Sequence, residues 1–270
     1  MAKGKQAAAQ AIVAIERTQG GIQKMEDWEI DLADKAKAEV ATEVLGVPRI
    51  THKGGILKVE GTKVEGNKLP IVIVAYGLSK TFYKEGYDPN GEGQTPDCYA
   101  FASAGPGEEA KMVPHDNAPA KQSETCATCE HNRFGTAEKG SGKRCSDKRR
   151  VLCIAEVKDE DSIQKTQVRQ FEVPPGSLRN WGNYLKGLKE VTASGNVRTV
   201  VTELSAEPGE KGAHVLTFKP THKLSKDLAL AAIEKGKQVE PDLLLPFPSI
   251  KHEEKKASTR TAKSKAKVRG

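Results

Sequence analysis

Leu69-Pro70-Ile71-Val72-Ile73-Val74-Ala75-Tyr76-Gly77-Leu78 is the stretch on which the fold turns. It is a continuous uncharged run marked by Pro70 and Gly77, the pattern of a central strand and not of a solvent-facing one. The chain goes on into Lys80-Thr81-Phe82-Tyr83-Lys84-Glu85-Gly86-Tyr87, aromatic and basic at once, and then into a turn-rich segment over 86–95. Cys98-Tyr99-Ala100-Phe101 reads as a further short strand, and 103–125 as a long excursion rich in Gly, Pro, Asn and Ser. On the other side of the central run, Ile56 to Val59 reads as a short strand closed by the turn at Gly61.

The same pattern resumes later. Val151 to Val157 and Gln167 to Val173 read as strands separated by the acidic turn Asp159-Glu160-Asp161. Pro174-Pro175-Gly176 opens a helix through Leu178, Trp181, Leu185 and Leu188. Val197 to Leu204 and Val215 to Phe218 alternate as two strands, and Leu224 to Ile233 is an amphipathic helix with Ser225 as its N-cap. Two helices are expected before the sheet, over 5–17 and 26–45, the second stopped by Gly46 and Pro48. Short, turn-punctuated strands favour a closed antiparallel barrel over a parallel sheet. The expected class is α+β, mainly β: an OB-like, partly open antiparallel barrel with a zinc-ribbon-like insertion and flanking helices. Its parts are N-terminal helices over 1–49, a core over 50–240 with the insertion at about 98–150, and an extended segment and basic tail over 241–270.

Composition bounds what such a chain does. In 270 residues no run approaches the ~20 apolar residues that cross a bilayer, so no membrane partner is expected. Five cysteines are too few, and odd in number, for a secreted disulfide scaffold. Met1-Ala2-Lys3-Gly4-Lys5 shows no signal-peptide pattern, so the expected compartment is a reducing cytoplasm. The net charge is +7, and residues 251–270 carry eight Lys or Arg against two acids. That low-hydrophobicity tail is expected to be disordered and to attract polyanions, nucleic acid first among them, with a merely solubilising tail as the plain alternative.

Four cysteines form a pattern: Cys98, then Cys126-x2-Cys129, then Cys145. A Cys-x2-Cys turn lets two thiolates face one ion, and the glycines at 135, 140 and 142 give the loop freedom to bring Cys145 back. Structural zinc (Zn2+) on these four is the expected cofactor. A redox pair and unliganded thiols are the competing readings, although redox pairs follow a strand and open a helix. His115 and His131 are rival fourth ligands to Cys98, and Cys153, inside an apolar strand, reads as a small core residue. Four thiolates close a zinc site, and the chain has no phosphate-binding Gly-rich loop and no nucleophile elbow, so no enzyme is expected.

Residues 121–150 hold eight basic residues and four acids. Cations that track phosphates, interleaved with rings that stack on exposed bases, suit a single strand. The candidate nucleic-acid contacts are therefore Lys80, Phe82, Tyr83, Lys84 and Tyr87 before the insertion, and Arg133, Phe134, Lys139, Lys143, Arg144, Lys148, Arg149 and Arg150 within or after it. The plain alternative makes the rings core and the cations a solvated face. Trp181 and Tyr184 are the fallback binding face.

The run Pro96-x-Cys98, Cys126-Ala127-Thr128-Cys129-x-His131-Asn132-x-Phe134-Gly135-Thr136, Gly140-x-Gly142-Lys143-x-Cys145 and Arg149-Arg150-Val151-Leu152 resembles a group of tailed-phage single-stranded DNA-binding proteins. Glu130 stands where their pattern has proline, Thr136 where it has serine, and the basic tail where they tend to end in acid. The resemblance covers about residues 70–155. It implies an oligonucleotide/oligosaccharide-binding barrel, some members with a zinc loop, that coats and protects single-stranded DNA in replication or recombination in the host cytoplasm, together with phage replication or recombination proteins. The rival readings are a virion-associated or interaction protein with an architectural zinc loop, and a zinc-ribbon accessory factor on duplex DNA. Oligomeric state is not legible.

Overall fold

A computed structural model describes residues 47–86, 94–138, 140–155, 160–209 and 213–247. The chain divides after Val44, and every described residue belongs to the second unit. The expected helices over 5–17 and 26–45, and the tail over 251–270, lie outside the described residues, as do Tyr87 and Lys139.

Three two-residue strands come first, β1 (Ile50–Thr51), β2 (Lys58–Val59) and β3 (Thr62–Lys63), and they form a small antiparallel sheet. The long strand β4 (Lys68–Phe82) follows, then β5 (Cys98–Ser103) and, after the insertion, β6 (Ser146–Ala155). Helix α1 (Glu160–Lys165) leads to β7 (Arg169–Val173), α2 (Leu178–Val191), β8 (Val200–Pro208), β9 (His214–Lys223) and α3 (Lys226–Val239). The fold is α+β and mainly antiparallel. Its main sheet has six strands in the order β7-β6-β4-β8-β9, with β5 also paired to β4. No pairing among the described residues closes this sheet into a barrel.

The uncharged run behaves as a central strand because both of its faces are covered. Ile71 and Ile73 pack with Val151, Cys153, Phe171, Trp181, Tyr184 and Leu188 on the α2 side. Val72 and Val74 pack with Leu152, Ile154, Ile163, Ala232 and Leu243 on the side of α1 and α3. Successive strand residues point to opposite faces, so a strand buried twice has no polar position to spare. A register shift between Ile73 and Ala75 resets the alternation.

Departures from the expected elements are local. Asp159-Glu160-Asp161 is not a plain turn, since α1 begins at Glu160. Ser225 does cap α3, its Oγ accepting from the Leu228 amide at 3.3 Å. Trp181 and Tyr184 are interior, Tyr184 bonded through its hydroxyl to Thr202 Oγ1 at 2.5 Å, so they form no binding face.

One edge of β4 pairs along its length with β6, while the other is divided. Residues 68–71 pair with β8 and residues 77–82 with β5. In the gap, Val74 O accepts from Arg198 Nε, and α3 passes so close that a Cβ on Gly236 would lie 2.2 Å from that oxygen. Alanine gains about 1 kcal/mol of helix propensity over glycine. Here backbone overlap outweighs it, because overpacking against a rigid strand costs about 1–3 kcal/mol. Gly236→Ala is therefore expected to lower the melting temperature, and a raised one would show that α3 can back away from β4.

The segment after α3 is not extended from its start, since Glu240–Leu244 form a 3-10 helix, and a charge pins it to the sheet. Arg150 is fully buried, and its guanidinium donates to Leu243 O at 2.9 Å and Leu245 O at 2.6 Å. Its carbon lies 3.7 Å from the Phe101 ring centroid and 5.0 Å from that of Phe247. Burial pushes its pKa down to about 10.

Candidate metal centre and nucleic-acid interface

The register of β4 with its neighbours assembles the site. Lys80 faces Ala100 on β5 and Asp147 on β6, and Phe82 faces Cys98. With alternation counted from the shift at Ala75, this puts Lys80 and Phe82 on the α2 side of the sheet, beyond the end of its core. The insertion folds over that end of the sheet.

Cys98, Cys126, Cys129 and Cys145 are all buried, and all four line one cavity with Lys80, Phe82, His131 and Asn132. Cys98 arrives from the first residue of β5, and Cys145 immediately precedes β6. The knuckle between them is held by its backbone: the Cys126 amide donates to Met112 O at 2.9 Å, and the Cys145 amide to His131 O at 2.8 Å. Burial raises the Cys98 thiol and pushes Cys126 up to about 11 and Cys145 up to about 12, each with its neighbouring cysteines adding to the rise. Among the described residues no group of three or more Cys, His, Asp or Glu stands in ligating geometry.

The two histidines separate. His131 lines the cavity and stacks on Phe82 with ring centroids 4.4 Å apart. His115 lies outside that lining and stacks on Tyr99 at 5.2 Å. Cys153 is buried among Val151 and Ile73, remote from the four.

The candidate nucleic-acid residues divide by burial. Lys80 is 3 % exposed and paired with Asp147 and with Glu109, the latter at 2.9 Å. Burial works against its charge, but the hydrogen bonds to those carboxylates outweigh it and its pKa rises. Phe82 packs between Cys98 and Cys145, and Tyr83 is buried with Lys148 over its ring at 5.9 Å. Arg150 is the buried pin described above. These four are interior groups, not surface contacts, because the insertion and the segment after α3 cover the end of the sheet on both sides.

The rest lie at or near the surface. Lys84, Arg133 and Phe134 are exposed, and Lys143, Arg144, Lys148 and Arg149 are half-buried. Arg144 pairs with Glu138 at 3.0 Å and donates to Lys84 O, and Lys148 pairs with Glu172 at 3.1 Å. Phe134 is 79 % exposed, the most exposed large apolar side chain among the described residues, with Lys143 Nζ 5.1 Å from its ring centroid. The turn carrying it is closed by the Gly135 amide, which donates to Gly142 O at 2.9 Å, and by Thr136 Oγ1, which donates to Arg133 O at 2.7 Å. Gly135 has φ 87°, a conformation that favours glycine and lets the chain reverse directly after the ring.

In the sequence Asn132 is one position of a motif and Asp147 one acid among the four in residues 121–150. In the fold they stand between the two lysines, Lys80 and Lys143. The one available signal was the position of Asn132 two residues before the ring.

No family model, curated protein or solved structure matches this chain. Among the described residues no helix is long and apolar enough to cross a membrane.

Proposed function

We propose that this chain is a non-enzymatic single-stranded DNA-binding protein whose insertion is held by one structural zinc ion. The observation that carries the reading is Phe134: a ring 79 % exposed, under Lys143 and next to the exposed Arg133, on a loop built around four cysteines. An exposed ring flanked by cations offers a nucleobase a face to stack on, with its phosphates near the charges. The donor set fits zinc. Four soft, buried sulfurs lining one cavity, two of them on a Cys-x2-Cys turn, are the donor chemistry of a closed zinc site. Cys98, Cys126, Cys129 and Cys145 would hold the ion, which would neutralise four thiolates and fix the loop without an open position for catalysis.

On this reading the divided edge of β4 is the start of the curl that a partly open, OB-like barrel takes further. The protein would coat DNA exposed in phage replication or recombination, in the host cytoplasm and alongside replication or recombination proteins, as the resemblance implies. Titration of the full chain with oligo-dT and with duplex of equal length, at matched salt, tests the reading. Each phosphate contact on a single strand contributes about −0.7 to the log–log salt slope. Preference for oligo-dT is expected. Duplex preference would favour an accessory factor on duplex DNA, and absence of binding to either an architectural loop in an interaction protein.

A further inference from the structure

The exposed ring is wired to the cysteine knuckle through two side chains. Asn132 Nδ2 donates to Cys126 O at 2.8 Å, and its amide to Cys129 O at 3.1 Å, so Asn132 is fixed against both knuckle residues. Its Oδ1 in turn accepts from Lys80 Nζ at 3.3 Å and from Lys143 Nζ at 3.2 Å. Asp147 grips the same two lysines, Lys143 through Oδ2 at 2.8 Å and Lys80 through Oδ1. Lys143, held at both points, is the cation over Phe134.

A lysine on a mobile loop loses most of its contact with a ring to side-chain entropy. One gripped by a carboxylate and an amide does not, and the 2.8 Å bond from Lys143 to Asp147 is a charge-assisted bond of the strong kind. The buried Lys80 anchors the far side of the network to β4, so the network spans rigid sheet, knuckle and tip.

We propose that Asn132 and Asp147 are positioning residues that hold the Phe134–Lys143 tip to the cysteine knuckle, so that the ring meets a single strand in a fixed pose. The inference rests on the single-strand reading for its partner, and the test separates the two. In the full-length, zinc-loaded protein, Asp147→Asn removes the charge but leaves both knuckle bonds of Asn132 in place. Zinc content should hold and the melting temperature should fall, because the buried Lys80 keeps only Glu109 as a charged partner, while trypsin cleavage within 133–144, measured well below the melting transition, becomes roughly tenfold faster, the ratio expected on loss of a charged hydrogen bond. Asn132→Ala should act in the same direction.

Binding to oligo-dT gives the second reading. Asp147→Asn should weaken it roughly five- to tenfold in the parent protein and hardly at all in a Phe134→Ala background, the non-additivity of residues that act as a unit. Unchanged cleavage, loss of zinc from Asp147→Asn, or additive losses of binding would each overturn the proposal. If the parent protein does not bind oligo-dT but cleavage rises as expected, the positioning role stands and the single-strand reading falls.

Discussion

One zinc ion per chain should be found in the purified protein by elemental analysis, and Cys129→Ser or Cys126→Ser should lose it together with the order of residues 121–150. Among the described residues between 104 and 145, the buried apolar side chains besides cysteine are Met112, Pro114 and Ala118. Three such side chains contribute about 1.5–3 kcal/mol each at most, against a backbone ordering cost of about 1–2 kcal/mol per residue. Structural zinc in small peptides supplies an apparent 10–16 kcal/mol at neutral pH, more than these side chains contribute together. The main sheet should survive, because neither large core cluster contains a residue between 104 and 145. The readout is therefore split: trypsin should open the loop while the main melting transition persists. Metal-free protein with an unchanged cleavage pattern in 121–150 would sink the idea.

Two phenylalanines should separate stability from binding. Phe82 is 3 % exposed, stacked on His131 and packed between Cys98 and Cys145. Phe82→Ala opens a cavity beside the thiols and should cost about 3–5 kcal/mol of stability. Phe134→Ala removes nothing from the interior, so its melting curve should overlay that of the parent. Its oligo-dT affinity should instead fall by about 1–3 kcal/mol, or roughly 5- to 150-fold. Melting curves and binding isotherms on the same two variants decide the matter. A destabilised Phe134→Ala with full affinity would move the binding surface elsewhere.

The contrast between these rings marks what was legible in the sequence. Local signals held where the information is local: the uncharged run is a central strand, Ser225 caps its helix, and Cys153 is core. The cysteine spacing correctly brings four distant residues to one cavity, because a Cys-x2-Cys turn and a glycine-rich loop leave few other geometries. What was not legible is which of the aromatic and basic residues stay outside. Lys80, Phe82 and Tyr83 lie at the end of a strand that reads as emerging from the core. Their burial depends on a loop that begins more than twenty residues later and folds back, and on carboxylates at 109 and 147 that neutralise Lys80. No periodicity encodes that. The barrel expectation came from short strands at turn-punctuated intervals and from the resemblance, and neither says anything of helices covering both faces of the sheet.

Arg150 carries a consequence for where the folded unit ends. Its guanidinium spends bonds on the carbonyls of Leu243 and Leu245, while Nε and Nη2 are buried with no partner among the described residues. An apolar strap could slide by a residue or come away at modest cost. This one is keyed, since a buried cation tolerates only the register that offers it those oxygens. Cutting the chain before residue 243 is thus equivalent to placing an uncompensated charge in the interior. The effective domain boundary is written in β6, nearly a hundred residues upstream of the place where it takes effect.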